Sequence, residues 1–164
     1  MWERSPSDPP VRIRHLDYPN DSPQVLSFLP DLYETNFPGF KVDTEFVVRK
    51  RNQLREAARD PGQAVLVAED SNGICGFIWL VIEVDYSGRR RGEVNAIYTA
   101  RRVRGQGVGR KLMEEGENLL RTYGCESVML MVTASNEPAT NLYQSMGYEV
   151  TRHQMEKMIR RGPR

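Results

Sequence analysis

Long apolar runs are missing from this chain. No stretch approaches the ~18 consecutive apolar residues of a membrane-spanning helix, so a membrane partner is not expected. Cysteine is scarce, at two in 164 residues. Cys75 and Cys125 lie in or beside strand-like segments without metal-ligand spacing. They read as reduced packing thiols of a cytosolic, hence cytoplasmic, protein and exclude a disulfide framework. The two histidines, His15 and His153, stand far apart in sequence, and no Cys/His/carboxylate cluster has ligand spacing, so no metal is expected. An excess of one charge is also missing. The net charge of +1 excludes a global basic field, and no nucleic-acid partner is expected. The segment Met1–Pro10 is polar and proline-rich, without the apolar stretch of a signal peptide, and residues 1–9 read as a loose tail. Repeats, low-complexity tracts and internal linkers are absent as well, so residues 10–162 read as one domain.

What is present is a globular composition, 39% hydrophobic and 27% charged. Val11–Leu16 alternates like a half-buried strand. Asp21 or Ser22 caps an expected helix, with Pro23 in its first turn, running to about Tyr33. Asn36-Phe37-Pro38-Gly39-Phe40 is a breaker. Asp43 or Thr44 caps a second helix that ends near Asp60-Pro61-Gly62. Ala64–Glu69 and Ile74–Tyr86 are expected strands joined by Ser71-Asn72-Gly73. Gly92–Thr99 is the next strand. Val108, Leu112, Leu119, Leu120 and Tyr123 then share one helical face, and Gly124 closes that helix. Ser127–Thr133 reads as a strand, and Asn136-Glu137-Pro138 opens a short helix ending at Met146-Gly147. Tyr148–Arg152 and Gln154–Ile159 have the pattern of a final strand pair. The order βααβββαβαβ, with room for one more strand, places the chain in the α/β class.

The segment Arg104-Gly105-Gln106-Gly107-Val108-Gly109-Arg110 joins the expected strand Val94–Thr99 to the amphipathic helix. Glycines at alternate positions let a backbone bring several N–H groups onto one anion at a helix N-terminus. Eight basic residues and one acid, Glu93, lie between Arg89 and Lys111. A dinucleotide fingerprint does not fit, because Arg110 stands in the third glycine place and Thr133 and Ala134, not an acid, stand at the end of the next strand. The Gly-Lys-Ser/Thr ending of a Walker A loop is lacking too. A phosphate-binding turn and a plain connection both remain open on these residues alone.

About thirty residues downstream comes Asn136-Glu137-Pro138-Ala139-Thr140-Asn141-Leu142-Tyr143-Gln144-Ser145-Met146-Gly147-Tyr148. With this second motif the chain resembles the GNAT superfamily of N-acetyltransferases over about residues 10 to 160. The family turn Arg/Gln-x-x-Gly-x-Gly/Ala matches Arg104, Gly107 and Gly109, with Gly105 in addition. The family signature Asn-x-x-Ala-x-x-x-Tyr-x-x-x-Gly-Phe/Tyr matches Asn136, Ala139, Tyr143, Gly147 and Tyr148. Glu93-Val94-Asn95-Ala96-Ile97-Tyr98-Thr99 is similar to the family's fourth strand.

The resemblance implies a mixed, mostly antiparallel sheet with two splayed parallel strands at its centre and helices on both faces. It implies direct transfer of acetyl from acetyl-CoA, as co-substrate, to a primary amine of a small molecule or peptide. A protein α-amine and a non-catalytic acyl-CoA-binding module are the alternatives, and a homodimer stays open. The pantetheine arm would pair with the strand carrying Ile97, Tyr98 and Thr99, where a backbone N–H polarises the acetyl carbonyl. Arg104, Gly105, Gln106, Gly107, Val108, Gly109, Arg110 and Lys111 would hold the pyrophosphate. Asn136 would bond the pantetheine or orient the helix after it. Tyr143 would be the general acid toward the CoA thiolate, with packing in the core as the other reading.

Glu93 is the expected base or water-orienting group, with pairing to the nearby arginines as the alternative. Glu83 and Asp85 are substitutes. Asn95 is expected on the same strand face as Glu93 and, with Phe37 and Phe40, in the acceptor site. Asp31, Glu34, Asp43 and Glu45 form either a solvated face or an attraction for a cationic acceptor. The Arg89–Arg91 run is either a solvated turn or a partner for the CoA 3′-phosphate.

Overall fold

Two nearly continuous apolar stretches set the architecture. In a computed structural model describing residues 10–159, Gln63–Asp70 and Gly73–Val84 are strands buried along most of their length. A strand without polar alternation needs cover on both faces of its sheet. Numbered in chain order, the strands are β1 (Arg12–His15), β2 (Gln63–Asp70), β3 (Gly73–Val84), β4 (Arg90–Thr99) and β5 (Ser127–Leu130). The helices are α1 (Tyr18–Ser27), α2 (Leu29–Asn36), α3 (Thr44–Ala57), α4 (Val108–Thr122) and α5 (Glu137–Ser145), and a 3₁₀ turn spans Arg101–Val103. The sheet order is β1-β2-β3-β4-β5, antiparallel except for the parallel pair β4–β5.

The two faces carry separate cores. On one, Leu66, Ile78, Leu80 and Val94 meet Val108, Leu112, Met113 and Leu120 of α4 and Tyr143 of α5. On the other, Val65, Val67, Phe77, Trp79 and Tyr98 meet Val25, Leu26, Leu29, Leu54 and Ala57 of α1, α2 and α3. Gly116 permits the close approach of α4, since a Cβ there would lie 3.1 Å from Ile78 Cδ1. Trp79 crosses the second core and donates its indole N–H to Gln63 Oε1 at 2.9 Å, so its one polar atom is satisfied.

Several expected boundaries move. Helix α1 begins at Tyr18 with Asp17 as N-cap, and Pro23 lies inside it. Asp21 is not a cap. It is buried, accepts Asp17 N–H at 2.7 Å and takes two bonds from the Arg14 guanidinium at 2.6 and 3.0 Å. A capping signal and a buried ion-pair partner use the same residue type, and sequence does not separate them. The single helix expected to reach Tyr33 breaks into α1 and α2 at Phe28, because Pro30 lacks the N–H that would continue the ladder. Asp43 does cap α3, accepting Phe46 N–H at 2.7 Å.

Residues 148–152 and 154–159 form no strands, contrary to the expected final pair. Residues 149–159 run exposed, and Val150, Met155, Met158 and Ile159 have no core to enter. Alternation marks a chain that suits a sheet, but a strand also needs a neighbour for its backbone groups. With those strands missing, β5 is the last strand of the order. Residues 1–9, expected as a loose tail, and 160–162, the end of the expected domain, lie outside the described residues.

Among the described residues no helix is long and apolar enough to cross a membrane. Arg14 links β1, α1 and β2, since it also reaches Glu69 at 3.0 and 3.2 Å. The Asp21 carboxyl is held below the ordinary range, first by the Arg14 hydrogen bonds, against the opposing effect of burial. Asp21→Asn keeps the shape and removes the charge, and should cost about 1.5–3 kcal/mol at pH 7. The carboxylate contributes fully above the unfolded pKa of about 3.9 and loses its contribution as pH falls through the lower folded value. Urea melts should therefore show a wide gap between wild type and variant at pH 7 and a narrow one near pH 3. An equal gap at both would rule out the ion pair as its source.

Candidate functional site

The parallel pairing of β4 and β5 is short. It runs from Arg91 opposite Ser127 to Val94 opposite Leu130 and stops. Strand β4 continues to Thr99, while β5, expected to reach Thr133, ends at Leu130. The β5-facing edge of Asn95–Thr99 thus has no strand beside it. The parting coincides with an irregularity on the other side of β4. Val94 pairs with Leu80 but Ala96 with Trp79, so Asn95 is an inserted bulge residue.

The bulge also resets which residues face which core. Glu93 lies opposite Val81, and beyond the bulge Ala96 and Tyr98 share that face. Asn95 is exposed in the bulge itself. Period-two alternation therefore does not carry through Asn95, because one inserted residue inverts it for every position beyond. Ile97 and Thr99 turn toward α4, with Thr99 Cγ2 close to Gly109.

Past Thr99 the chain enters the glycine turn. Gly105 and Gly107 have φ of +75° and +79°, in the left-handed region, and a Cβ at either would meet open space. The demand on these positions is therefore one of backbone conformation. Helix α4 starts directly after Gly107. Its first ladder bond is Lys111 N–H to Gly107 O at 3.0 Å, which leaves the N–H groups of Val108, Gly109 and Arg110 ahead of it. Gln106, Gly107, Val108, Arg110 and Lys111 border a cavity of about 240 Å³ together with Val11 and Glu114.

The cations around the turn serve chiefly as struts. Arg104 donates to Thr99 O at 3.0 Å and to Asp31 at 2.7 Å, and its guanidinium lies over the Tyr98 ring. Arg101 pairs with Asp31 and Arg102 with Asp70. Arg110 donates to Ser145 Oγ at 2.6 Å, joining α4 to the end of α5. Lys111 turns to Val11 O at 3.2 Å, so both its N–H and its ammonium are engaged within the protein.

Asp31, read from sequence as one acid of a solvated face, is the hub of this region. It binds Arg101 and Arg104 and accepts the Tyr98 hydroxyl at 2.8 Å. Arg101 holds its carboxyl far below the usual carboxylate range. Burial, with Asp31 beside it, pushes the Tyr98 phenol up to about 12. No local signal marks Asp31, whose partners lie 67 to 73 residues away.

Helix α5 carries the second motif and meets the start of α4, where Leu142 lies beside Gly109. Asn136 caps it, accepting Ala139 N–H at 3.3 Å, and its Nδ2 donates to Asn36 Oδ1 at 3.2 Å. Thr133 Oγ1 donates to Asn36 O at 2.8 Å, so the end of α2 is tied to the β5–α5 loop. Tyr143 is 8% exposed and packs edge-on against Tyr148 at 6.0 Å. Burial pushes its phenol pKa up. Tyr148 donates to Glu117 at 2.8 Å, whereas no hydrogen bond engages the Tyr143 hydroxyl among the described residues.

On the opposite side, Phe37 and Phe40 are 55% and 41% exposed and cluster with Tyr33 and Phe46. The Lys50 ammonium sits over the Tyr33 and Phe46 rings. Glu83 pairs with Arg91 at 3.0 Å. Burial, then the adjacent Glu83, pushes the Glu93 carboxyl up. Asp85 is a turn residue bonded to Ser87 and Arg89, so it does not join this group. Arg90 binds Tyr123 O and Arg91 binds Glu83, which makes the arginine run part of the local structure.

A parting parallel pair, a glycine turn opening α4 and a second helix capped by Asn136 are the features on which the comparisons bear. The model of the acetyltransferase (GNAT) family matches residues 26–148. The chain belongs to this family. A mycothiol acetyltransferase of Saccharopolyspora erythraea is 34% identical over 144 residues, covering 85% of this chain and 44% of that protein. One from Propionibacterium freudenreichii subsp. shermanii is 31% identical over 100 residues, covering 61% and 32%. The chain thus spans less than half the length of these relatives. Among solved structures, an aminoglycoside acetyltransferase from an uncultured soil metagenomic sample superposes with a TM-score of 0.68. The identity is 20%, over 92% of this chain and 97% of that one.

The Asp31 hub predicts coupling between α2 and the turn. Asp31→Asn should cost about 1–2 kcal/mol, because it leaves two guanidiniums without their carboxylate. Asp31→Asn and Arg104→Gln combined should cost less than the sum of the single changes by about 0.5–1 kcal/mol in a chemical-denaturation cycle. Strict additivity would show that the two side chains are energetically independent.

Proposed function

We propose that this domain transfers the acetyl group of acetyl-CoA directly to a primary amine of a small molecule or peptide. The observation that carries the reading is the parting of β4 from β5 at Val94 and Leu130, with the α4 N-terminus at one end of the open edge. Asn95–Thr99 offer backbone groups along which a pantetheine arm can pair. The N–H groups of Val108, Gly109 and Arg110 offer donors and a helix dipole to a pyrophosphate. Family membership supports the same assignment.

The chemistry divides among this chain's residues. Glu93 takes a proton from the acceptor ammonium, directly or through water, and passes it on to solvent. The free amine attacks the thioester carbonyl, whose oxygen is held by a backbone N–H in Ile97–Thr99. The new C–N bond forms and the C–S bond breaks. Tyr143 gives its phenolic proton to the departing thiolate and regains one from the acylated nitrogen. Its buried setting keeps the phenol protonated at neutral pH, as a donor requires. Phe37 and Phe40 form an apolar wall for the acceptor. In this reading Asn136 acts by orienting α5, since both ends of its amide are bonded within the protein.

The acceptor is sought with an amine panel of glucosamine, kanamycin, cysteine and a short peptide with a free α-amine. The name of the curated relatives adds mycothiol chemistry as one acceptor type to include. Release of CoA with any of these, dependent on Tyr143, supports the reading. Binding of acetyl-CoA without turnover of any amine favours a binding module.

Gly107→Val should abolish binding of acetyl-CoA in calorimetry, since a β-branched residue resists the left-handed conformation that opens α4. Wild-type affinity in the variant would remove the turn from the site. Tyr143→Phe preserves the ring and its packing. It should lower kcat by about 10²–10⁴-fold while affinity for acetyl-CoA changes little. A variant with unchanged kcat under chemistry-limited conditions would reduce Tyr143 to a core residue.

A further inference from the structure

The face of the sheet that carries Glu93 holds one group of charges that the reaction above leaves unexplained. Glu83 stands directly opposite Arg91 in the β3–β4 ladder, and their side chains pair at 3.0 Å. Glu93 is two residues further along β4 on the same face, which makes Glu83 its diagonal neighbour across the ladder. The three side chains therefore form a carboxylate–guanidinium–carboxylate group immediately before the bulge and the parting of β4 from β5. Arg91 keeps a buried N–H, on Nε, without an acceptor. A buried donor left over in a native structure calls for a physical reason.

We propose that Glu83, held in place by Arg91, is the positioning residue for Glu93 in removal of the acceptor's proton. This rests on the reading of Glu93 as base. The two neighbours act on Glu93 in opposite senses. Glu83 carries like charge, so it favours the protonated carboxyl of Glu93. Arg91 favours the ionised form, and its free Nε–H is the donor available when Glu93 is charged. A base must accept a proton readily at working pH and then release it, which a carboxylate of ordinary acidity does poorly. The register partners of Glu93, Val81 on β3 and Met129 on β5, are apolar and contribute no charge. Glu83 and Arg91 are the charged groups that act on Glu93.

The arrangement assigns separate tasks to residues of the same kind. Glu83 is tied to a guanidinium and stays where it is. Glu93 is the carboxyl with the weaker ionic tie and sits nearer the open edge of β4.

The test needs no acceptor. The whole chain is labelled with glutamate carrying ¹³C at the side-chain carboxyl. The carboxyl shifts are followed against pH, with the Glu93 resonance assigned by its loss in Glu93→Gln. In wild type, Glu93 should titrate above the exposed glutamates. In Glu83→Gln its midpoint should move down by at least about half a pH unit, and in Arg91→Gln it should move up. Thermal melts of both variants verify that the fold is retained. Opposite movements support the proposal, because a merely structural role for the pair gives no reason for opposite signs. A Glu93 midpoint that stays at the wild-type value in Glu83→Gln, with the fold intact, overturns it and leaves the proposed activity standing. Failure of the amine panel would instead sink the activity while the titration still reports whether the pair acts on Glu93.

Discussion

A sheet that parts between two parallel strands leaves backbone N–H and C=O groups without partners, and such groups have to be satisfied by something else. In this protein the parting begins at Val94 and Leu130, next to the bulge at Asn95. The other features of the site are arranged around that edge. The glycine turn lies at its far end, α5 sets Leu142 beside Gly109 of that turn, and the tie from Asn36 to Thr133 and Asn136 joins α2 to the loop before α5. The bulge does two things at once. It lies where the ladder on the β5 side stops, and it exchanges the residues that face the two cores, placing Glu93 with Arg91 before it and Ala96 with Tyr98 after it.

The turn is held from outside. A glycine-rich segment is conformationally permissive, and its rigidity has to come from neighbours. Here Asp31 on α2 gathers Arg101, Arg104 and Tyr98, while Asp70 at the end of β2 holds Arg102. Much of the positive charge that makes this region resemble an anion site in one dimension is matched by carboxylates in three. What remains for an anion is mainly backbone, the N–H groups at the start of α4. Helix α2 and the turn at the head of α4 are thus joined through a single carboxylate, that of Asp31.

Legibility from sequence followed the range of the interactions. The helix Val108–Thr122 could be read because its apolar spacing, its opening glycine and its closing Gly124 all lie within the segment. Asp43 and Asn136 could be read as caps for the same reason, each bonding an N–H three residues away. Asp21 and Asp31 could not. Their partners are guanidiniums and a phenol on other elements, and nothing near them in the chain distinguishes Asp21 from a helix cap or Asp31 from a solvated acid. The break at Phe28 was written in Pro30, but a helix pattern continues on both sides of it and hides the interruption. The strands expected at 148–159 show the converse error, a correct pattern for which the described structure provides no partner.

By itself the sequence determined the class of fold, the place of the glycine turn, the two motifs and their order, since each depends on backbone conformations and side-chain periods that neighbouring residues set. Only the tertiary structure decided which charges are free and which are used, on which face of β4 each residue lies, and which carboxylate stands beside Glu93. Those depend on strand register and on one inserted residue. A shift of one position in a ladder reverses every side chain beyond it, and no local pattern records where the shift occurs.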